Sequence, residues 1–192
     1  MCVTAYFSTI MNRFENAYSQ GLYALKPIPS RVCYTYFMHH VDLTCNSDMS
    51  FLDLGCGSGS AGWLLNFMRP GLPYVGVDSS KAAIDSARNR CISNALFVND
   101  DIVGFLKSQP DDKYTYLLAD DSLYYLSEAH FTDVIRAIGR QKRMRSFRFT
   151  VKTDRDQHAM TGEPISNFLF SSTAGWESGM SILCYPYEDL LR

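Results

Sequence analysis

Phe51-Leu52-Asp53-Leu54-Gly55-Cys56-Gly57-Ser58-Gly59-Ser60 decides the fold. It reads as a buried strand that ends in an acid and breaks into a glycine-rich turn. The apolar run Trp63-Leu64-Leu65-Asn66-Phe67-Met68 follows at helical spacing. Glycines at 55, 57 and 59 take positive φ at low cost and leave no β-carbon between backbone and ligand. Such a strand–turn–helix unit presents bare N–H groups at a helix start, beside the carboxyl end of a parallel strand. In open α/β sheets that crevice is where ligands bind.

The glycines do not name the ligand by themselves. Gly57-Ser58-Gly59-Ser60-Ala61-Gly62 satisfies the dinucleotide pattern G-x-G-x-x-G, and Asp78 follows Gly57 by 21 residues, as that pattern asks. Two details argue for a different ligand. Asp53, two residues before the first glycine, repels a pyrophosphate and suits a ligand that carries an ammonium group. The additional Gly55 opens the turn one step earlier.

The stretch resembles motif I of class I S-adenosylmethionine-dependent methyltransferases, acid-x-Gly-x-Gly-x-Gly, at Asp53, Gly55, Gly57 and Gly59. The resemblance continues in order over roughly residues 50–152. Tyr74-Val75-Gly76-Val77-Asp78-Ser79-Ser80 is similar to the second strand, closed by the acid that holds both ribose hydroxyls. Leu96-Phe97-Val98-Asn99-Asp100-Asp101-Ile102 is similar to the third strand and the acid that meets the adenine amino group, with Asp101 in better register than Asp100. Tyr116-Leu117-Leu118-Ala119-Asp120-Asp121-Ser122-Leu123-Tyr124-Tyr125-Leu126 is similar to the fourth strand and the loop beside the methyl group. The resemblance implies a Rossmann-like, doubly wound, mostly parallel sheet with helices on both faces. It implies S-adenosyl-L-methionine as cofactor, S-adenosyl-L-homocysteine as product, and a donor site at Asp53, Gly55, Cys56, Gly57, Gly59, Asp78, Ser79, Asp100, Asp101, Ile102 and Asp120.

Each acid also has a plainer reading. A carboxylate at a strand's carboxyl end accepts hydroxyl hydrogen bonds well, which suits Asp78 and a ribose. Asp78 is also placed to cap a helix that begins at Ser79-Ser80-Lys81, and Asp101 to cap one from Ile102 to Lys107.

Composition bounds the rest. The chain has 192 residues, 46% hydrophobic and 14% aromatic, enough for one domain with a substantial core. A net charge of −2 offers no electrostatic case for nucleic acid or an anionic membrane. The basic run Arg140-Gln141-Lys142-Arg143-Met144-Arg145 reads as a solvated helix end. Six cysteines, at 2, 33, 45, 56, 91 and 184, form no C-x-x-C pair, which argues against a disulfide framework and a zinc site. Cys56 inside the turn points to a reducing compartment, and its backbone rather than its thiol explains it. The N-terminus lacks the pattern of a secretory signal, and no run approaches the ~20 apolar residues of a spanning helix. The expected setting is cytoplasmic.

From Ser50 onward short apolar runs alternate with longer periodic ones. Strands are expected near 50–54, 73–77, 95–98, 114–119 and 145–152, and helices near 60–69, 80–92, 102–108 and 128–141, which implies a parallel sheet. Residues 5–26 and 30–43 read as two helical stretches, with Ser30 as an N-cap. The expected division is a helical lid over 1–48, a cofactor-binding core over 49–152 and a substrate-side segment over 153–192. The family ends in a further helix and an antiparallel strand pair. Here 153–179 is polar and without period, 180–185 is strand-like, and a helix start follows at Pro186. The reading is that the C-terminal antiparallel strands are missing or truncated, leaving an edge that a homodimer would cover, or that the segment is a lid.

Methyl transfer from a sulfonium is an in-line displacement, so the protein chiefly aligns the acceptor and excludes water. A base is needed only where the acceptor loses a proton. Candidate catalytic residues are Asp120, Asp121, Tyr124 and His158. Tyr124 and Tyr125 are read either as an aromatic wall against the sulfonium or as core packing. Tyr18 and Tyr23 are read as a lid or as a packed helix face. His39, His40 and His130 fall in no metal-ligand spacing. Tyr114-Thr115 departs from the acid the family often places after the aromatic that opens the fourth strand. The expected function is methyl transfer to a small-molecule or peptide acceptor. A donor-binding subunit without catalysis and a nicotinamide-dependent oxidoreductase are the alternatives.

Overall fold

The computed structural model describes residues 12–21, 48–153, 163–166, 169–171 and 181–185. His158, Tyr23, His39, His40, the helical stretch at 30–43 and the helix start at Pro186 lie outside the described residues, as do Cys2, Cys33 and Cys45.

Five parallel strands form the central sheet: β1 Phe51–Leu54, β2 Tyr74–Asp78, β3 Ala95–Asn99, β4 Tyr116–Ala119 and β5 Ser146–Phe149. Their order is β3-β2-β1-β4-β5. β1 is therefore flanked on both sides, with Leu52 opposite Val75 of β2 and Leu117 of β4. A strand's side chains alternate between faces, and this decides the two cores. Phe51 lies on one face with Tyr74, Tyr116, Leu64, Leu65, Ile84 and Phe97. Leu52 and Leu54 lie on the other with Val77, Val103, Leu106, Leu117 and Val134.

A helical segment, α1, covers 12–19. The helices of the core are α2 Ser60–Met68, α3 Lys81–Arg88, α4 Ile102–Ser108 and α5 Glu128–Gly139. Three of them start on side-chain caps. Ser80 accepts from the Ala83 amide, Asp101 from the Gly104 amide and Ser127 from the His130 amide. Each such cap contributes about 1 kcal/mol. The helix expected through residue 26 stops early: the chain turns at Gln20–Gly21, where Gly21 is left-handed and its N–H bonds the Tyr18 carbonyl.

The C-terminal expectation is corrected. A second sheet of order β6-β9-β8-β7 follows, with β6 Lys152–Thr153, β7 Glu163–Ser166, β8 Leu169–Ser171 and β9 Ser181–Tyr185. β9 runs parallel to β6, and the β7–β8 and β8–β9 pairs are antiparallel. The antiparallel strands are present, and β9 lies between β6 and β8 in this second sheet. β9 falls where the sequence is strand-like, whereas β7 and β8 are too short to show a period. Pro164 also demotes its run, yet it is tolerated in β7, which is an outer strand. Ile182, Leu183 and Cys184 of β9 are buried. Among the described residues no helix is long and apolar enough to cross a membrane.

Candidate functional site

The glycine turn joins β1 to α2 at the carboxyl edge of the sheet. Gly55, Gly57 and Gly59 all have positive φ, at 78°, 53° and 77°. The turn is stapled to β2: the Gly55 and Cys56 amides donate to the Val77 carbonyl, and the Gly57 amide donates to Asp78 Oδ2 at 2.9 Å. Asp78 Oδ1 accepts from the Ser80 amide at 2.9 Å. Asp78 thus ties the turn to the start of α3, while Ser80 is the cap itself. Burial pushes the Asp78 carboxyl above its usual range, and the amide bonds from Ser80 and Gly57 pull it back.

The expected bare turn is corrected in two respects. The Gly55, Cys56, Gly57 and Gly59 amides are already paired within the protein. The glycines' open faces are also filled. A Cβ on Gly55 would stand 2.3 Å from Ser122 Cβ, one on Gly57 2.2 Å from the Tyr18 hydroxyl, and one on Gly59 2.9 Å from the Phe97 ring. The glycines therefore admit the β4 loop, α1 and β3, and a ligand at Gly57 shares its space with Tyr18. Cys56 turns inward against Gly76, and burial raises its thiol well above the usual range.

Asp53 is 3% exposed and accepts from the Tyr74 hydroxyl. Its carboxyl is pushed up to about 7, first by burial and then by the charges of Asp120 and Asp78, against the Tyr74 bond. The buried Asp53 thus stands within reach of the Asp78 and Asp120 charges at the ends of β1, β2 and β4. A cationic ligand relieves that repulsion, and this is the observation by which a sulfonium-bearing, ammonium-bearing donor fits the site.

The β4 loop closes the other side. Asp120 Oδ1 accepts from the Thr150 hydroxyl at 2.6 Å, and Asp121, left-handed at φ 49°, accepts from the Tyr124 hydroxyl at 3.1 Å. Ser122 donates its hydroxyl to the Leu54 carbonyl at 2.7 Å, pinning the loop to β1. Tyr124 and Tyr125, in a 3-10 turn, are buried and paired at 4.5 Å. Lys152 Nζ lies 5.0 Å over the Tyr124 ring. On the β3 side Asp101 is the cap of α4, Asp100 accepts from the Asp101 amide, and both are exposed, with Ile102 half-buried. Ser79 lies between Asp78 and the Ser80 cap, and its carbonyl accepts from the Asn99 amide group at 2.9 Å. Thr115 is far from this edge: its hydroxyl and the Ser50 backbone bond each other at the amino end of the sheet.

Two residues absent from the sequence-based donor set stand over the site. Phe14 meets Tyr125 edge-on at 4.9 Å. Glu15 accepts from the Ser80 hydroxyl at 2.8 Å and from the Ala82 amide at 3.1 Å. With Tyr18 over Gly57, α1 forms a strap across the ends of β1, β2 and β4. The signal was available: Phe14 and Tyr18 stand at i and i+4 and Glu15 three residues before Tyr18, next to the buried Ala17.

A doubly wound sheet with a glycine turn, an acid closing β2 and an acid-and-tyrosine loop after β4 defines an α/β protein that holds a ligand at its carboxyl edge. The chain belongs to the family described as a methyltransferase domain, which it matches over residues 45–158. It is 33% identical over 94 residues to the trans-aconitate 2-methyltransferase of Yersinia pestis (strain Pestoides F), covering 49% of this chain and 34% of that protein. It is 37% identical over 76 residues to the enzyme of that name from Escherichia coli O1:K1 / APEC, covering 40% and 29%. The match spans about a third of the length of these curated relatives. A DhpI-SAM-HEP complex is similar in structure, with TM-score 0.64 and 13% identity over 99% of this chain and 87% of that one. So is a chain of the complex between the Haloferax volcanii Trm112 methyltransferase activator and a methyltransferase, with TM-score 0.66 and 16% identity over 92% and 72%. At these identities the likeness is one of fold.

Proposed function

We propose that the chain is an S-adenosylmethionine-dependent methyltransferase that acts on a small-molecule acceptor in the cytoplasm. The observation that carries the reading is the Asp53, Asp78 and Asp120 carboxyl group around a glycine turn, in a chain of the methyltransferase family. When bound, the donor supplies a methyl group on a positively charged sulfur. In this reading Asp78 receives the ribose hydroxyls on lone pairs left over from the Gly57 and Ser80 amides. Asp101 and Ile102 border the adenine, with Asp100 and Ser79 beside them. Asp120 provides the negative field for the cationic end, and Asp53, held near neutrality in the free protein, adds its charge as the cation draws its carboxyl back toward ionisation.

Asp121 and Tyr124 border the acceptor, and His158, which follows β6 in sequence, is the proposed base for an acceptor that loses a proton. Residues up to 48 act as a lid through α1, whose strap keeps water from the donor. Residues 49–152 form the binding core, and the segment after 152 forms the acceptor side.

Calorimetric titration with S-adenosylmethionine, S-adenosylhomocysteine and NADH tests the reading. Micromolar binding of both adenosyl ligands and none of NADH is expected. Asp78→Ala is expected to weaken that binding by ~1.5–3 kcal/mol, the loss of a charge-assisted bond. Binding of NADH, or of none of the three, overturns the reading. Trans-aconitate, the acceptor named for the relatives, is the first compound to assay for turnover; binding without turnover on any acceptor would indicate a donor-binding subunit.

A further inference from the structure

We infer that Arg88 guards the outer edge of β3 and keeps that edge from pairing with a second copy of the chain. β3 ends the five-stranded sheet and is paired there to β2 alone. The end of a sheet presents N–H and C=O groups as a template for another strand. The sequence of β3 invites such pairing. Ala95-Leu96-Phe97-Val98-Asn99 carries no charge and no proline, and Leu96 is 58% exposed.

The hydrogen bonds fix which groups point outward. The Asn94 carbonyl accepts from the Tyr74 amide, and the Asp100 amide donates to the Asp78 carbonyl. The backbone groups of successive residues alternate between the two sides of a strand. Leu96 and Val98 therefore face β2, while Ala95, Phe97 and Asn99 face out. Two such edges fit one another antiparallel about a two-fold axis at Phe97, with Ala95 of each opposite Asn99 of the other. Each Phe97 then gives its N–H to the other's carbonyl.

Arg88 occupies that carbonyl. From the end of α3, its Nε and Nη2 donate to the Phe97 oxygen at 3.2 and 2.8 Å. Bonds from a charged donor are stronger than the neutral amide bond that would replace them. Nη1 lies 3.9 Å from Asp85 Oδ1, on the same helix, which helps to hold the fork toward the strand. The Ala95 amide is spent too, on the Ile92 carbonyl at 3.4 Å. Of the bonds the two-fold pair needs, only those from the Asn99 amide to the Ala95 carbonyl still form. The guanidinium also lies in the plane an arriving strand must enter, and its side chain is 55% exposed, so the charge meets that strand in water.

The test is sedimentation velocity of the full chain over a rising concentration series. Wild type is compared with Arg88→Met, which keeps the apolar stem and removes the donors. The variant is expected to rise to twice the wild-type mass. Adding Leu96→Lys puts like charges on one face of the pair and is expected to restore the wild-type mass. Arg88→Ala serves if the methionine variant shows no cooperative thermal unfolding. Equal masses for wild type and the Met or Ala variant at every concentration overturn the inference. So does association that Leu96→Lys leaves unchanged, which would lie on another surface. Open-ended association overturns it as well, because one edge per chain closes as a dimer.

Discussion

Asp53→Asn isolates the most unusual ionisation in the molecule. The wild-type carboxyl titrates at about 7 in the folded chain, against 3.8 ordinarily. Between those values the unfolded chain carries the charge and the folded chain carries the proton. Unfolding then releases a proton, so stability falls as pH rises from about 4 to about 7. Below 4 both states are protonated and the contribution is whole; above 7 both are ionised and it is gone. At about 1.4 kcal/mol per unit, the span is about 4 kcal/mol.

Asparagine keeps an oxygen for the Tyr74 hydroxyl and has no charge to bury. Subtracting its urea-unfolding free energies from those of wild type, pH by pH, removes the contribution of every group that does not interact with Asp53. Burial raises Asp78 in the same direction, and Lys107 lowers the exposed Asp133. The difference curve is expected to drop by about 4 kcal/mol between pH 4 and 8, ending with the variant the more stable. Parallel curves would refute the argument that burial and the Asp120 and Asp78 charges hold Asp53 neutral.

Two further substitutions test the strap. Gly57→Ala places a Cβ 2.2 Å from the Tyr18 hydroxyl at a φ of +53°. It is expected to cost about 1–2 kcal/mol for the left-handed conformation and more for the clash. Adding Tyr18→Ala should recover only the clash, and a double variant no more stable than Gly57→Ala in thermal unfolding would deny the contact. Glu15→Gln removes a charge from the start of α3 and leaves an acceptor for Ser80, a loss of about 1 kcal/mol in seating the strap. Amide exchange over residues 12–19 should quicken about fivefold with the melting temperature nearly constant; unchanged exchange would show that Glu15 does not latch the strap.

The core was legible because local signals agree with the global fold. Asp53 and Phe51 alternate with Leu52 and Leu54, and both faces are buried. Ser80, Asp101 and Ser127 mark their helix starts by cap chemistry alone. The illegible parts depend on partners far along the chain. Nothing near Gly57 says that Tyr18 fills its open face, and nothing near Asp53 names Tyr74 as its donor. Asp101 was readable with its partner, the Gly104 amide it caps, but for Asp78 only the position was readable: it holds the Gly57 amide as well as that of Ser80. β7 and β8 escaped because three or four residues are too few to show alternation, and their pairing is defined by β9.

The strap also orders assembly in time. α1 leaves the ribosome before the residues it packs on, since its contacts lie at Gly57, Ser80 and Tyr125, and Glu15 waits for a partner 65 residues downstream. α1 therefore precedes its partners in synthesis and is seated only after β4 and its loop have formed. During that interval the carboxyl edge stands uncovered, and a cationic ligand present in the cell can enter the nascent domain before the strap closes over it.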